Sequence, residues 1–448
     1  MFNLSLQEIT RIVDGDCIND SVDCVGFEID TRRIRPGFLF VAIVGDRLNG
    51  HNFINEAISN GASAVLVSEK VPFNIPQVIV KNTQHALLAL ASYWREAHQV
   101  ETIAVTGSCG KTTVRQLLQH IFCLSGSTLA STRSLNNHVG VPYTALQLSC
   151  DHKYYIQEIG ANHMGEIKAL VAIVKPNIAI ITNAAEAHLS GFGSLDNVVQ
   201  AKGEILLGLK SDGVAVLNKD DASYEMWRSM LPCDHLSFAV NGQADVMARN
   251  VSCNSQGMPS FNLVCSQGSL SVQLKLIGRH NISNALAAAS AGLAAGLSLA
   301  VIQRGLQQAE GEQHRMQSKS GLLGATIIDD SYNANPLSVL AAIDILGSFS
   351  TERILVLGDM LEMGDMADSW HSKVGLAAKH AGVSSLYCLG EKVLFAAESF
   401  GDGAKVFRTH DDLLLSLLPR LNNKMTVLVK GSNSMHMNLI ADRLSCLN

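Results

Sequence analysis

The chain has 448 residues, of which 47% are hydrophobic and 17% are charged, and its formal net charge is −6. This length exceeds what a single hydrophobic core accommodates, so two or three domains are expected. The acidic balance, without a basic arm or stripe, argues against nucleic acid as the partner.

Ten cysteines are scattered along the chain without a C-x-x-C pair, which favours a reducing, cytoplasmic location over a zinc or disulfide scaffold. The first residues, MFNLSLQEITRIVDGD, lack the basic-then-apolar order of a signal peptide. The uncharged stretch 281–303 is long enough to span a bilayer. Because weakly apolar Ala, Ser and Gly dominate it, we expect packed helices there and no membrane insertion.

The order of apolar runs predicts an α/β fold of three domains. Residues 1–82 alternate short apolar runs with a helical stretch, which indicates a small α/β domain. Residues 83–312 contain the nearly continuous apolar runs TIAVTG, KYYIQEIG, IAIITN and GVAVLN, typical of buried parallel strands in a mononucleotide-binding domain. A polar stretch near 241–270 predicts an antiparallel excursion. Residues 313–448 again alternate apolar runs with helical stretches, which predicts a Rossmann-like domain.

The run 102-TIAVTGSCGKTT-113 predicts a phosphate-binding loop between a strand and a helix. Its glycines allow a tight turn, and a helix N-terminus favours an anion. The standard pattern G-x-x-x-x-G-K-[ST] is not met, because Val105 stands where its first glycine belongs. An ordinary strand–turn–helix junction is the alternative. The residues predicted to bind ATP are Gly107, Ser108, Cys109, Gly110, Lys111, Thr112 and Thr113.

Three further residues suggest a metal site in the same domain. Glu158 and His188 each follow a predicted strand, and a carboxylate with an imidazole suits a divalent cation that bridges a phosphate. A helix-capping carboxylate and a loop histidine are the alternatives. Lys202 lies among apolar residues of a predicted helix, where a lysine usually reaches out to solvent. Beside a metal it would be repulsive, unless carbamylation by CO₂ made it an anion.

The chain resembles the Mur ligase family over nearly its whole length. The similar motifs, in the family's order, are DTR (30–32), NGHNFI (49–54), TGSCGKTT, SLNNHVGVP (134–142), EIGANHMGEI (158–167), HLSGFGS, AKGEI, GRHNISNALAA (278–288), His314-Arg315, DDSYNANP (329–336), LGDMLEMG and KGS (430–432). Because these ligases use T-G-x-x-G-K-[ST], Val105 fits the family's loop.

The resemblance implies roles for individual residues. Lys111 and Thr112 would hold ATP phosphates and Mg²⁺, and Glu158, His188 and a carbamylated Lys202 would act with the metal in catalysis. The remaining residues implied to bind ATP are Asn281, Asn284, Arg315 and Asp330. The residues implied to bind the other substrates are Asp30, Thr31, Arg32 and Asn335, although a solvated charged turn is the alternative for 30–32.

Within the family, DDSYNANP and the absence of a DNPR motif resemble the branch that adds D-alanyl-D-alanine to UDP-MurNAc-tripeptide. This implies an ATP-dependent ligase of peptidoglycan synthesis, forming an acyl phosphate, expected to be a cytoplasmic monomer. Arg115 and Asn433 depart from residues common in relatives. Rival readings are another amino-acid-adding Mur enzyme, a folylpolyglutamate synthase, or a P-loop kinase or nucleotide switch. The residues alone do not explain Cys109.

Overall fold

The computed structural model describes residues 2–19, 22–45, 48–132, 135–186, 189–254, 256–361 and 363–445, with only the backbone of Leu189 and Ser190. None of the helices in these ranges combines the length and apolar character that a bilayer crossing needs. The predicted α/β class is confirmed by mostly parallel sheets with helices packed on their faces.

The N-terminal elements form a mixed sheet. They are β1 (Leu4–Ser5), α1 (Leu6–Val13), β2 (Asp16–Ile18), β3 (Asp23–Cys24), β4 (Gly26–Glu28), β5 (Phe38–Val41), α2 (Ile54–Ser59), β6 (Ala62–Val67), β7 (Gln77–Ile79) and α3 (Thr83–Glu96). The sheet order is β2-β7-β6-β5-β4, with β4 to β7 parallel and β2 antiparallel to β7. The short strands β1 and β3 pair antiparallel beside it.

Helix α3 joins this region to the next. Asn82 caps it by accepting hydrogen bonds from Gln84 N and His85 N at 2.9 and 3.0 Å, as an N-cap asparagine does. Its Trp94 ring lies 5.1 Å from that of Phe2, and Trp94 Nε1 donates to Leu148 O at 3.0 Å. A single apolar cluster therefore runs from the N-terminal sheet onto one face of the central sheet.

The central elements form the largest sheet. The strands are β8 (Glu101–Thr106), β9 (Thr128–Ala130), β10 (Tyr154–Glu158), β11 (Ile178–Ile181), β12 (Val214–Asn218), β13 (Asp234–Ala239), β14 (Val246–Cys253), β15 (Pro259–Cys265) and β16 (Gly268–Gln273). The helices are α4 (Lys111–Cys123), α5 (Gly140–Ala145), α6 (Glu166–Val174), α7 (Leu189–Phe192), α8 (Leu195–Gly203), α9 (Tyr224–Ser229), α10 (His280–Ala294) and α11 (Leu299–Gln308).

The strand order of this sheet, β16-β15-β14-β13-β12-β11-β8-β10-β9, brings β8 between β10 and β11. The strands β9 to β14 and β8 run parallel, and β14, β15 and β16 form the predicted antiparallel excursion. Glu158 pairs with Val105 and Ile181 with Thr106. The carboxyl ends of three neighbouring strands therefore lie together, where ligands gather in parallel sheets.

The C-terminal elements form a third sheet. They are β17 (Gln317–Ser320), β18 (Thr326–Asp330), α12 (Pro336–Gly347), β19 (Glu352–Gly358), α13 (Ala367–His380), β20 (Ser385–Leu389), α14 (Leu394–Phe400), β21 (Ala404–Phe407), α15 (His410–Leu417), β22 (Met425–Lys430) and α16 (Asn438–Leu444). The order is β17-β18-β22-β19-β20-β21, parallel except for β17. The domain boundaries after residues 82 and 312 stay a prediction.

Candidate active site

The predicted phosphate loop connects β8 to α4 as the sequence indicated. Gly107 and Gly110 adopt φ values of 147° and 85°, a backbone region that favours glycine. A Cβ at Gly110 would also collide with Asn284 Oδ1, so glycine is required there for two reasons. No side chain caps the first turn of α4. Its backbone N–H groups and the helix dipole therefore offer a site for an anion.

The residues after β11 hold the loop in shape. Asn183 Oδ1 accepts from Cys109 N at 2.9 Å, and Thr182 Oγ1 donates to Cys109 O at 2.6 Å. Ser108 exchanges two hydrogen bonds with Ala185, at 2.9 and 3.1 Å. The loop is thus fixed before any ligand arrives, which reduces the entropy lost on binding.

Lys111 folds back over the loop. Its Nζ donates to Gly107 O at 2.6 Å and to Ser108 O at 3.3 Å. Burial lowers the pKa of this lysine, and the nearby Glu158 carboxylate opposes that shift. The Lys111 ammonium consequently lies at the mouth of the loop, within electrostatic range of the candidate metal ligand Glu158.

Glu158 has the burial and the open oxygen expected of a metal ligand. It is 2% exposed, and Oε1 accepts a hydrogen bond from Asn136 Nδ2 at 2.8 Å. Oε2 is buried and has no hydrogen-bond partner among the described residues. A buried carboxylate oxygen left open in this way is uncommon, because desolvating it costs free energy. Oxygen ligands of this kind suit Mg²⁺, and the Thr112 hydroxyl lies on the adjoining first turn of α4.

Lys202 is buried, at 2% exposure, near the end of α8, and its Nζ lies 5.3 Å from the centre of the Phe192 ring. Burial, assisted by the positive charge of Lys111, lowers the pKa of Lys202 to about 7. Lys202 therefore departs from the solvent-exposed position that is usual for a lysine among apolar helix residues. The other predicted ligand, His188, lies outside the described residues.

The two asparagines of α10 lie beside the loop. Asn281 Nδ2 donates to Ile277 O, and Asn284 Nδ2 donates to Asn281 Oδ1, both at 2.9 Å. The pair orients the Asn284 carbonyl oxygen against Gly110. Asn281 and Asn284 are therefore placed to shape one wall of a nucleotide site.

The C-terminal region supplies the opposite wall. Asp330 accepts hydrogen bonds from Met316 N at 3.1 Å and from Lys430 Nζ. The Arg315 guanidinium lies 4.0 Å above the Tyr332 ring, a favourable cation–π geometry. Asn433, one of the two departures from common residues, donates from Nδ2 to Tyr332 O at 3.0 Å. It thereby supports the loop on which Arg315 stacks.

The structure shows a contact of Cys109 that the sequence did not predict. Its Sγ lies 3.5 Å from Asn335 Nδ2 and 3.6 Å from Asn335 Oδ1. Asn335 is also the N-cap of α12, where its Oδ1 accepts from Ser338 N at 2.9 Å. The phosphate loop and the predicted C-terminal domain therefore touch at this thiol.

These walls enclose a cavity of about 1170 Å³. The predicted residues that line it are Ser108, Cys109, Gly110, Lys111, Thr112, Thr113, Glu158, Asn281, Asn284, Arg315, Asp330 and Asn335. Gly107, Lys202 and the segment 30–32 are not among the described residues that line it. Asn136, Tyr332 and Lys430 also line it. They lie in motifs already quoted, but only the folded chain reveals their contacts.

The DTR segment lies apart, on a turn of 3₁₀-helix at Thr31–Arg33. Asp30 and Arg32 pair through two side-chain hydrogen bonds of 2.6 and 2.9 Å, and this contact lowers the pKa of the Asp30 carboxyl. Thr31 is buried, and its hydroxyl donates to Glu56 Oε1 at 2.9 Å. Of the three side chains, Arg32 is the exposed one, at 81%.

Comparisons with known proteins agree with this geometry. Family models match residues 24–95 (Mur ligase family, catalytic domain), 105–292 (Mur ligase middle domain) and 314–433 (Mur ligase, glutamate ligase domain). An Escherichia coli K12 protein named UDP-N-acetylmuramoyl-tripeptide--D-alanyl-D-alanine ligase is 38% identical over 438 residues, covering 97% of this chain and 96% of that protein. The chain belongs to the Mur ligase family.

Solved structures of Mur ligases extend the likeness to three dimensions. A crystal structure of MurF from Acinetobacter baumannii has a TM-score of 0.93 at 32% identity, with 99% of both chains covered. MurF ligase from Thermotoga maritima in complex with ADP has a TM-score of 0.83 at 23% identity, covering 93% of this chain and 96% of that one. At that identity the second likeness concerns the fold alone. The family and the three-part α/β architecture predicted from the sequence are confirmed.

Proposed function

We propose that this Mur ligase couples ATP cleavage to the addition of D-alanyl-D-alanine to UDP-MurNAc-tripeptide, giving the pentapeptide precursor of peptidoglycan. The observation that carries the proposal is the cavity that the phosphate loop, Glu158 with its unpaired carboxylate oxygen, and Arg315 line together. The name of the E. coli relative supports the choice of substrates.

A carboxylate is a poor electrophile toward an amine, so it must first be activated. In the first step a carboxylate oxygen of the tripeptide attacks the γ-phosphorus, the bond to the β-phosphate breaks, and ADP leaves. The amine of D-alanyl-D-alanine then attacks the carbonyl carbon of the acyl phosphate. The tetrahedral intermediate loses a proton from nitrogen and expels phosphate, leaving an amide. No covalent bond to the protein is needed.

The first step brings two anions together, and the cationic residues lower that repulsion. Lys111 and the first-turn amides of α4 cradle the phosphates, while Arg315 approaches from the opposite wall. Thr112, Glu158 and His188 would hold Mg²⁺, which neutralises phosphate charge when bound. Asn281 and Asn284 shape the nucleotide wall, and Asp330 fixes the segment that carries Arg315.

Lys202 would act as a carbamate. Carbamylation requires a neutral amine, and burial lowers the pKa of Lys202 to about 7, so an appreciable neutral fraction exists near neutral pH. The product is an anion, which removes the repulsion between Lys202 and a bound cation. The carbamate would then support the metal site rather than react with the substrate.

The three predicted domains, 1–82, 83–312 and 313–448, would divide the work. The first would bind the UDP end at 30–32, with Arg32 as the contacting side chain and Asp30 and Thr31 fixing its turn. The second would bind ATP. The third, through Asn335, would bring the dipeptide amine to the acyl phosphate and exclude water. We also propose that the enzyme is a cytoplasmic monomer.

The deciding experiment measures ADP release with UDP-MurNAc-tripeptide, with and without D-alanyl-D-alanine, and identifies the product by mass. ADP release that requires both substrates, with a pentapeptide product, is the expected result. Preference for a single amino acid or a folate would instead indicate another amino-acid-adding Mur enzyme or a folylpolyglutamate synthase. ATP turnover indifferent to either amine would contradict ligase chemistry.

A further inference from the structure

Three charged side chains meet where the chain passes from the central sheet to the C-terminal one. Glu312 Oε1 lies 3.2 Å from the NH2 of Arg115, on the helix that begins with the phosphate loop. Glu312 Oε2 lies 3.6 Å from Arg315 Nε. Glu312 and Arg315 both line the large cavity. The Glu312 carboxylate therefore lies between Arg115 of the central region and Arg315 of the C-terminal region.

The Arg115 side chain is well suited to its part in this cluster. Its NH1 donates to Gln119 Oε1 at 3.1 Å while its NH2 donates to Glu312 at 3.2 Å. A planar guanidinium makes both contacts at once from a fixed fork, whereas a lysine ammonium is a point charge. Arg115 therefore anchors one oxygen of Glu312 to α4.

The second half of the cluster is held differently. Arg315 Nε and Glu312 Oε2 are buried, yet neither has a hydrogen-bond partner among the described residues. Their separation of 3.6 Å exceeds hydrogen-bonding distance, so attraction between opposite charges remains without a formed bond. Arg115 Nε is likewise buried without a hydrogen-bond partner among the described residues. The cluster therefore keeps hydrogen-bonding capacity that its own three members do not use.

The backbone around Arg315 restricts it further. His314 and Met316 adopt φ values of 63° and 47°, a left-handed region that side chains rarely occupy. His314 O accepts from Tyr332 N at 3.0 Å, which fixes the bend. The Tyr332 ring packs against the Arg315 guanidinium at 4.0 Å from the ring centre. The carboxylate of Glu312 attracts the same guanidinium from 3.6 Å at Nε.

We propose that Glu312 is a positioning residue that aims Arg315 at the phosphates of ATP and ties its position to the phosphate-loop helix through Arg115. The inference rests on the proposed function, since it concerns the nucleotide of that reaction. Glu312 holds Arg315 by charge alone, so Arg315 keeps its N–H donors for the phosphate whose negative charge grows during transfer. Without Glu312, Arg115 and Arg315 would also repel each other across the site.

The test is a double-mutant cycle between Glu312→Gln and Arg315→Lys, read in kcat and in KM for ATP. Glutamine keeps an acceptor for Arg115 but removes the charge. We expect Glu312→Gln to lower kcat roughly tenfold while KM for ATP stays within about twofold, because orientation is lost rather than ground-state binding. In the Arg315→Lys background the same substitution should change kcat by less than about twofold.

Glu352→Gln is the matched control, because Glu352 Oε1 lies 3.1 Å from the NH2 of Arg420 and neither is among the described residues lining the cavity. It should leave kcat and KM unchanged, and thermal unfolding of each variant checks its folding. An unchanged kcat in Glu312→Gln, or additive losses in the double variant, would overturn the inference. The proposed function would still stand in that case, provided that the wild-type protein shows ligase activity. An inactive wild type would instead contradict the proposed function.

Isothermal titration calorimetry provides a second test of the positioning role that does not depend on catalytic turnover. A non-hydrolysable ATP analogue should bind Glu312→Gln within about twofold of its affinity for wild type, because orientation is lost and ground-state binding is kept. A several-fold loss of affinity for the analogue in Glu312→Gln would mean that Glu312 supports ATP binding itself, and would count against the positioning role.

Discussion

The phosphate loop and the DTR segment are both motifs that the sequence brought forward, but the structure treats their polar groups in opposite ways. Around the loop, the first turn of α4 is uncapped and Glu158 keeps a buried oxygen without a partner among the described residues. In the DTR segment, Asp30 binds Arg32 and Thr31 binds Glu56. Open groups indicate where a ligand would complete the site, whereas satisfied groups indicate a motif that first builds its own turn.

The substitution Lys111→Ala is the strongest test of the phosphate loop. Removing the ammonium leaves the γ-phosphate charge unbalanced during transfer, so we expect ADP formation to fall by at least about a thousandfold. Lys210→Ala, at an exposed lysine of the same region, is the control and should retain wild-type turnover. Near-normal ADP release from Lys111→Ala would remove the phosphate loop from the mechanism.

Lys202→Ala examines a buried residue that is not among the described residues lining the cavity. We expect turnover to fall about a hundredfold, because the anion proposed to steady the metal region is lost. Acetate or formate should restore part of the activity by replacing the carbamate, and neither acid should stimulate Lys210→Ala. Full activity in Lys202→Ala without added acid would refute the carbamate.

How far the sequence predicted these two regions depends on the kind of contact involved. Apolar runs located β8, β10, β11 and β12, because buried parallel strands are continuously apolar, and strand ends placed Glu158 correctly. Contacts between distant side chains could not be read in this way. Neither the Asn136–Glu158 hydrogen bond nor the approach of Asn335 to Cys109 follows from any local pattern, since both depend on how separate elements pack.

The contact made by the Thr31 hydroxyl could not be predicted from the sequence either. The family resemblance made it a candidate for substrate binding, but its hydrogen bond to Glu56 depends on α2, 25 residues further along. Arg32 is exposed, as a long charged side chain on a turn usually is, although Asp30 holds it by two hydrogen bonds. His188, chosen from its position after a strand, lies outside the described residues, so its role stays a prediction.

Cys109 tests the contact that joins the loop to the C-terminal region. N-ethylmaleimide adds a bulky group to the thiol, which would clash with Asn335 and obstruct the loop. We expect treatment to reduce activity at least about tenfold in wild type, ATP to slow this loss, and Cys109→Ser to keep most of its activity after the same treatment. Equal inactivation of Cys109→Ser would assign the sensitivity to another cysteine.

Thr31→Val gives the smallest expected effect and probes the satisfied side of the comparison. Valine keeps the shape but cannot donate to Glu56, so the free energy of unfolding should fall by about 1 kcal/mol. Thr31→Ser keeps the hydroxyl and should retain most of that stability. Because the hydroxyl already serves Glu56, KM for UDP-MurNAc-tripeptide should change by less than about twofold in either variant. A large rise in KM confined to Thr31→Val would mean that the substrate takes this hydroxyl away from Glu56, and the DTR segment would then join the phosphate loop as a site completed by its ligand.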